Sequence, residues 1–223
     1  MSEITVNELP LLRATIHMPL AGVWSADVEV DTADELVGAA TVSIDGTTTF
    51  RGTVVDGGVT HGLWRGRIVG GAAGLRGTIP ARAYRNATLA DVLHDAIVEA
   101  GEALDASSGD LGISAALFHR TEAAAARAVQ AIANAAGFGW RVLPGGAVWI
   151  GAETWPDAGS PDLTLLESDP RERRYRFGGD VLGLRPGTLL QFRDEAADVF
   201  LRLGTVRLDV EAHEFTATVW QAA

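Results

Sequence analysis

The sequence contains no cysteine and no lysine. Without cysteine there is no disulfide framework, no thiolate zinc site and no cysteine nucleophile. Without lysine there is no Schiff-base residue and no Walker-type P-loop. All 18 basic residues are arginine, and this Arg- and Ala-rich usage reflects a GC-rich coding sequence rather than a function. Positive charge is scarce: 29 acids leave a formal net charge of -11. That argues against a nucleic-acid binder, whose affinity comes mostly from basic groups on phosphates. Long apolar runs are missing too, and none approaches the roughly 20 residues of a membrane span. The start, MSEITVNELP, has neither a basic nor an apolar signal region. The expectation is a soluble, intracellularly made protein without membrane insertion. Its 223 residues suffice for one large domain or two to three small ones, at roughly 100–200 residues per domain. A chain of this size buries about 70% of its unfolded surface.

What is present separates by periodicity into an α+β, mostly β protein: two β-barrel-like modules flanking a small α+β insert with two helices and a hairpin. The first module covers residues 1–82. Trp24, Ala26, Val28 and Val30 alternate with Ser25, Asp27, Glu29 and Asp31, the pattern of a half-buried strand. Ala40, Val42 and Ile44 lead to Asp45-Gly46, a strong hairpin signal, and Phe50, Gly52 and Val54 return from it. Asp56-Gly57-Gly58 reads as a second turn, before a strand with Leu63, Gly66 and Ile68. The glycines of residues 70–77 read as a flexible loop.

The insert covers 83–152. Thr88 and Asp91 form a capping box. Leu89, Val92, Leu93, Ala96 and Ile97 share one helix face, and Gly101 ends that helix. A second helix is expected from Thr121 and Glu122 to Gly137. A hairpin follows around Pro144-Gly145-Gly146. Residues 153–162 read as a linker and 163–223 as the second β module. Its expected strands are LTLLE, RRYRF, TLLQF, VFLRL, TVRLDV and EFTATVW.

The two β modules share a spacing. Gly52-Thr53-Val54 is followed, nine residues after the glycine, by His61 and then Leu63; Gly204-Thr205-Val206 is followed at the same spacing by His213 and then Phe215. Coincidence between two strand-forming segments accounts for this as well as a duplication does. On either account Gly52, His61, Gly204 and His213 are structural positions.

Motifs for chemistry are missing. There is no GxSxG elbow, no HExxH and no GxGxxG flanked by strand and helix. The five histidines lie far apart, so no metal is expected and no cofactor. A glycosidase pair among the carboxylates is open to any fold that brings two together, but no local pattern selects one. Residues 171–176, Arg-Glu-Arg-Arg-Tyr-Arg, form the one basic cluster, flanked by Glu167 and Asp169. It reads as a solvated edge strand or a protein interface. The six tryptophans divide between core packing and interface anchoring.

One stretch is familiar. Residues 83–93, AYRNATLADVL, with the amphipathic helix ending at Gly101, resemble the start of the central domain of phage tail baseplate hub proteins. The sequence AGFGWRV with the hairpin Leu143–Trp149, the segment Leu184–Thr188 and the run Val206–Thr218 resemble later parts of that family. The resemblance covers about 83–151 and 184–219, and the first 80 residues match in β character alone. It implies a structural, non-enzymatic protein of the virion tail, assembled in the bacterial host cytoplasm. It implies a homotrimeric ring with two similar β modules per subunit, so that six modules meet a six-fold tail tube protein. A three-fold spike or tip protein takes the other side, and DNA passes through the channel without specific binding. The chain is short for this family. Alternatives are a tail-associated cell-wall glycosidase and a monomeric binding adaptor.

Charge adds an expectation. Residues 1–60 carry nine acids against two arginines, a net of -7, whereas residues 61–137 are neutral and 138–223 carry -4. An acidic channel wall repels phosphates and keeps DNA moving. Asp27, Glu29 and Asp31, on one strand face, are the expected channel-facing acids. Asp34, Glu35, Asp45 and Asp56 are the further candidates.

Overall fold

The computed structural model describes residues 4–46, 48–159, 161–194, 197–211 and 214–222. Six strands close a barrel: β1 (Ile4–Val6), β2 (Leu9–Met18), β3 (Ser25–Val30), β4 (Gly38–Ile44), β5 (Thr48–Thr60) and β6 (Leu63–Gly70). Their order is β1-β4-β5-β6-β3-β2, and β1 pairs back onto β2. Period-two alternation sets the inside. Ala26, Val28 and Val30 are buried, while Asp27 is exposed and Glu29 half-buried on the outer face. Trp24, Phe50 and Trp64 fill the interior, with Trp24 and Phe50 edge to face at 5.5 Å.

The glycines of β5 are not a turn. β5 runs straight through Asp56-Gly57-Gly58 with a bulge at Val55, and the chain reverses at His61-Gly62 instead. The reason lies across the sheet. Gly57 faces Gly66, and a Cβ on either would stand 2.4 or 2.3 Å from the Trp64 indole. The two glycines form the slot that the ring occupies. Gly70 does the same for Trp24, where a Cβ would come within 2.5 Å of the indole nitrogen.

Residues 70–77 are not a loose loop either. Gly74–Arg76 forms a 3-10 turn, and the Glu102 carboxylate accepts hydrogen bonds from the backbone N–H groups of Ala72, Gly74 and Leu75. The Gly74 Cα lies so close to the Ala100 carbonyl that no side chain fits. There follow β7 (Thr78–Ile79), β8 (Arg82–Thr88), α1 (Leu89–Ala100), β9 (Ser114–Arg120), β10 (Ala123–Ala124), α2 (Ala125–Ala136), β11 (Gly139–Val142) and β12 (Val148–Gly151). The capping box of Thr88 and Asp91 is formed, and the Thr88 groups that donate to the Asp91 carboxylate hold its pKa below the ordinary value. Gly101 and Gly137 end the helices in left-handed conformation. α2 begins at Ala125 rather than Thr121 because Ala123 and Ala124 pair with β7 and stay extended. The β11–β12 hairpin lies against one end of the barrel: the Gly22 N–H donates to Trp140 O, the Gly22 carbonyl accepts from the Val142 N–H, and the Trp24 indole N–H donates to Leu143 O at 3.1 Å.

The last strands are β13 (Leu163–Asp169), β14 (Arg174–Gly179), β15 (Leu189–Asp194), β16 (Ala197–Glu211) and β17 (Glu214–Gln221). The expected strands VFLRL and TVRLDV are one strand, β16, with a bulge at Gly204. Its first half pairs with β15 and its second half with β17 and β2. The barrel sheet therefore continues as β2-β16-β17-β14-β13. Among the described residues the second module stays open. Nor is the basic cluster an edge: β14 lies between β13 and β17, so β13 is the edge strand. Residues 153–159 lie along the sheet, with Leu189 exchanging hydrogen bonds with Pro156 and Ala158. No helix among the described residues is long and apolar enough to cross a membrane.

Candidate assembly interface

Setting β1 and β4 aside, the outer wall is a run of eight antiparallel strands, β5-β6-β3-β2-β16-β17-β14-β13. It divides into two four-strand units of the same order. Each is a first hairpin (β2–β3 or β13–β14) and a second hairpin (β5–β6 or β16–β17), joined through β3–β6 or β14–β17. β4 lies along the first half of β5 as β15 lies along the first half of β16.

The shared triplets meet the same rungs. Thr53 and Val54 face Val69 and Ile68; Thr205 and Val206 face Trp220 and Val219. Ile68 and Val219 each stand five residues beyond the first paired residue of their strand, Leu63 and Glu214. The glycines differ. Gly52 faces Gly70 in the ladder, whereas Gly204 is the bulged residue. His61 sits in the β5–β6 turn with φ of 54°. His213 lies outside the described residues.

The outer face of this run is charged and hollowed into two adjoining depressions of about 580 and 520 Å³ that share Arg13 and Thr15. Asp27 and Glu29 lie on it, but not alone. Asp27 accepts two hydrogen bonds from Arg67, at 2.7 and 2.9 Å, and Glu29 pairs with Arg65 at 2.8 Å. The Asp27 partnership holds the Arg67 pKa above its ordinary value. Across the β2–β16 joint, Arg13 pairs with Glu211 at 3.2 Å and the Thr15 hydroxyl donates to Asp209 at 2.8 Å. Arg174 of the basic cluster pairs with Glu167 at 2.5 Å. The face is a checkerboard of both signs rather than an acidic wall. Sequence reading found Asp27 and Glu29 and missed their arginines, because these stand on the neighbouring strand β6, 40 and 36 residues away. Asp31 lies past the end of β3, its N–H donating to Pro10 O.

Elsewhere the carboxylates serve structure. Arg120, its side chain 2% exposed, bonds Glu99 and the Pro80 carbonyl, and Arg82 reaches both Asp95 and Glu99. Burial pushes the nearby Tyr84 hydroxyl pKa upward. No group of His, Asp and Glu suited to a metal ion occurs among the described residues. Trp24, Trp64 and Trp140 are core residues, while Trp149, Trp155 and Trp220 are half-buried, the first two covered by Arg141 and Arg202 guanidiniums.

No family model matches the chain, and no curated protein does either. Solved structures do. A 43 kDa tail protein of prophage MuSo2 from Shewanella oneidensis superposes with a TM-score of 0.74 at 13% identity, covering 98% of this chain and 96% of that one. A tail protein from Neisseria meningitidis MC58 gives 0.70 at 13% identity, over 99% and 96%. The E. coli c3393 protein gives 0.68 at 12% identity, over 100% and 77%; it is a type VI secretion component with structural similarity to the T4 bacteriophage tail proteins gp27 and gp5. At these identities the likeness is one of fold, and the fold is that of phage tail proteins.

Proposed function

We propose that this chain is a structural hub of a phage tail or phage-derived injection particle, a homotrimer closed as a ring around the channel. The observation that carries this is the β2–β16 joint. There the last strand of one four-strand unit pairs with the first strand of the other over six rungs, Arg13–Met18 against Val206–Glu211. The same two kinds of edge are left open at the ends of the run. Among the described residues β13 pairs only with β14, and Asp56–Thr60 of β5 only with β6. An open edge is a template for another strand. A neighbour's β13 can meet β5 as β2 meets β16, a head-to-tail contact that generates a ring when the rotation closes. On this reading residues 1–82 and 163–223 are related modules around the 83–152 insert, with Gly52 and Gly204 as equivalent positions. Three chains then offer six near-equivalent units to a six-fold tube protein on one side and a spike or tip on the other.

The checkerboard face is the proposed channel wall. Among the described residues, five of the six arginines lining the depressions are held by carboxylates, while the sixth, Arg176, reaches only the Thr216 hydroxyl. With most of its positive charge paired, the wall grips phosphates weakly and DNA slides past. Asp27 and Glu29 face the channel as one arm of these pairs. The protein does no chemistry in this role and resides in the virion tail. Light scattering on the purified chain, alone and with its tube protein, is expected to give a trimer in at least one of the two. A closed two-fold dimer, or a monomer in both, overturns the ring. A structure of the ring with Asp27 and Glu29 pointing away from its axis overturns the channel wall.

A further inference from the structure

Where the barrel, the insert hairpin and the loop before β15 meet, a cavity of about 150 Å³ opens to the surface. Its walls are apolar: Met18, Pro19, Trp24, Val142, Pro144 and Pro186. The one polar hydrogen in reach on Trp24 is already given to Leu143 O. Two arginines also line it. Arg141 is compensated, its guanidinium bonded to Glu153 at 2.5 Å and stacked over Trp149. Arg185 is not. Its Nη1 donates to the carbonyls of Leu182 and Leu184, at 2.6 and 2.8 Å, and its guanidinium lies over the Phe50 ring at 5.3 Å. Its Nε and Nη2 make no hydrogen bond, and no carboxylate pairs with it, among the described residues.

This is unusual within the molecule. Arg120 and Arg141, also withdrawn from water, each hold a carboxylate. A guanidinium in apolar surroundings without an anion is costly. That cost shows in its acidity, which burial lowers to about 10. A fork of free N–H donors in a narrow, apolar-walled recess matches a carboxylate, which accepts such a fork along two parallel bonds. The apolar walls match a short methylene stem behind that carboxylate.

We propose that the Arg185 cavity is a docking socket for a glutamate side chain of a partner polypeptide seated on this end of the barrel. The carboxylate takes the free Nε and Nη2 donors, and the stem lies against Pro19, Pro144 and Pro186. Neither open strand edge contributes to the socket, so its failure leaves the proposed ring untouched.

The test follows the Arg Nε–H resonances of the full chain by NMR while propionate, the side-chain analogue of glutamate, is added. The Arg185 signal is expected to shift saturably, with a dissociation constant on the order of 10 mM for so small a probe. The neutral isostere propionamide should leave it unmoved, and so should inorganic phosphate at matched ionic strength. The capped peptide acetyl-Ala-Glu-Ala-amide should move it at least as well as propionate. No saturable shift with propionate overturns the proposal. So does an equal response to propionamide or phosphate, which marks a site without carboxylate selectivity. A signal that follows propionate but ignores the peptide assigns the cavity to free small acids and overturns the polypeptide occupant. Because this comparison uses the unaltered chain, it does not depend on Arg185→Gln folding. Where that variant folds, its Trp24 and Phe50 signals should lose their response to propionate.

Discussion

The two β units share an order of strands and differ in how that order ends. In the first, β1 bridges β4 and β2 and closes a barrel around Trp24, Phe50 and Trp64. In the second, no counterpart of β1 occurs among the described residues, and β15 and β13 stay apart. Closure removes edges, and an open sheet keeps them. One three-residue strand thus separates a closed unit from an open one. Their interiors follow suit. The closed barrel is filled by indoles seated in glycine slots, and the open unit by smaller rings, Phe177 and Phe192 edge to face at 5.0 Å.

The comparison breaks most completely if β1 is forced out. Val6 is fully buried, and Val6→Asp places an unpaired carboxylate in the closure, a change expected to cost at least about 4 kcal/mol. Chemical denaturation should register this, and a loss under about 1 kcal/mol would mean that β1 does not hold the barrel. Next come the core rings. Trp64→Ala and Phe177→Ala each fall in the class that costs about 3–5 kcal/mol, and the cost depends on how far the site collapses. Trp64 is expected at the upper end, because a closed barrel cannot fold inward, and Phe177 at the lower. Equal losses would remove the distinction.

The repeated glycines sharpen the contrast at a finer scale. A Cβ on Gly52 would lie 2.1 Å from Val69 O, while one on Gly204 meets nothing nearer than 3.0 Å. Gly52→Ala should cost about 1–3 kcal/mol, the range for overpacking. Gly204→Ala should stay within about 1 kcal/mol. Thermal melting of the two variants gives the order directly. The smallest effect belongs to the outer face, where Arg65 and Glu29 are a surface pair. Arg65→Gln is expected to change stability by less than about 1 kcal/mol, as exposed ion pairs do. A larger loss would make the checkerboard part of the core's stability rather than a solvated wall.

How much of this was legible depended on how local each cause was. β3 could be read from its alternation, and α1 from Thr88, Asp91 and Gly101, because the partners stand within one turn or one strand. The hairpin at residues 139–151 announced itself through Pro144-Gly145-Gly146. The strands β8 and β9 did not, since their side chains are mostly exposed and show no alternation. Asp56-Gly57-Gly58 misled because its glycines answer to Trp64 on the next strand rather than to a turn. The continuous sheet was beyond reach. Its joint brings Thr15 to Asp209, 194 residues away. The Arg185 cavity was hidden for a similar reason, since its walls come from segments around residues 18, 142 and 185.

β16 belongs to two pairings at once, and this has a mechanical consequence. At about 3.3 Å per residue its 15 residues form a rod of roughly 50 Å. It carries β15 at one end and the barrel's β2 at the other. Hydrogen bonds between antiparallel strands run across the strands. A pull along β16 therefore loads all six rungs of the β2 joint together, in shear. A pull across the sheet opens them one at a time, like a zipper. The chain is stiff along that rod and yielding across it, so it resists a load along the strand axis and gives way to one across the sheet.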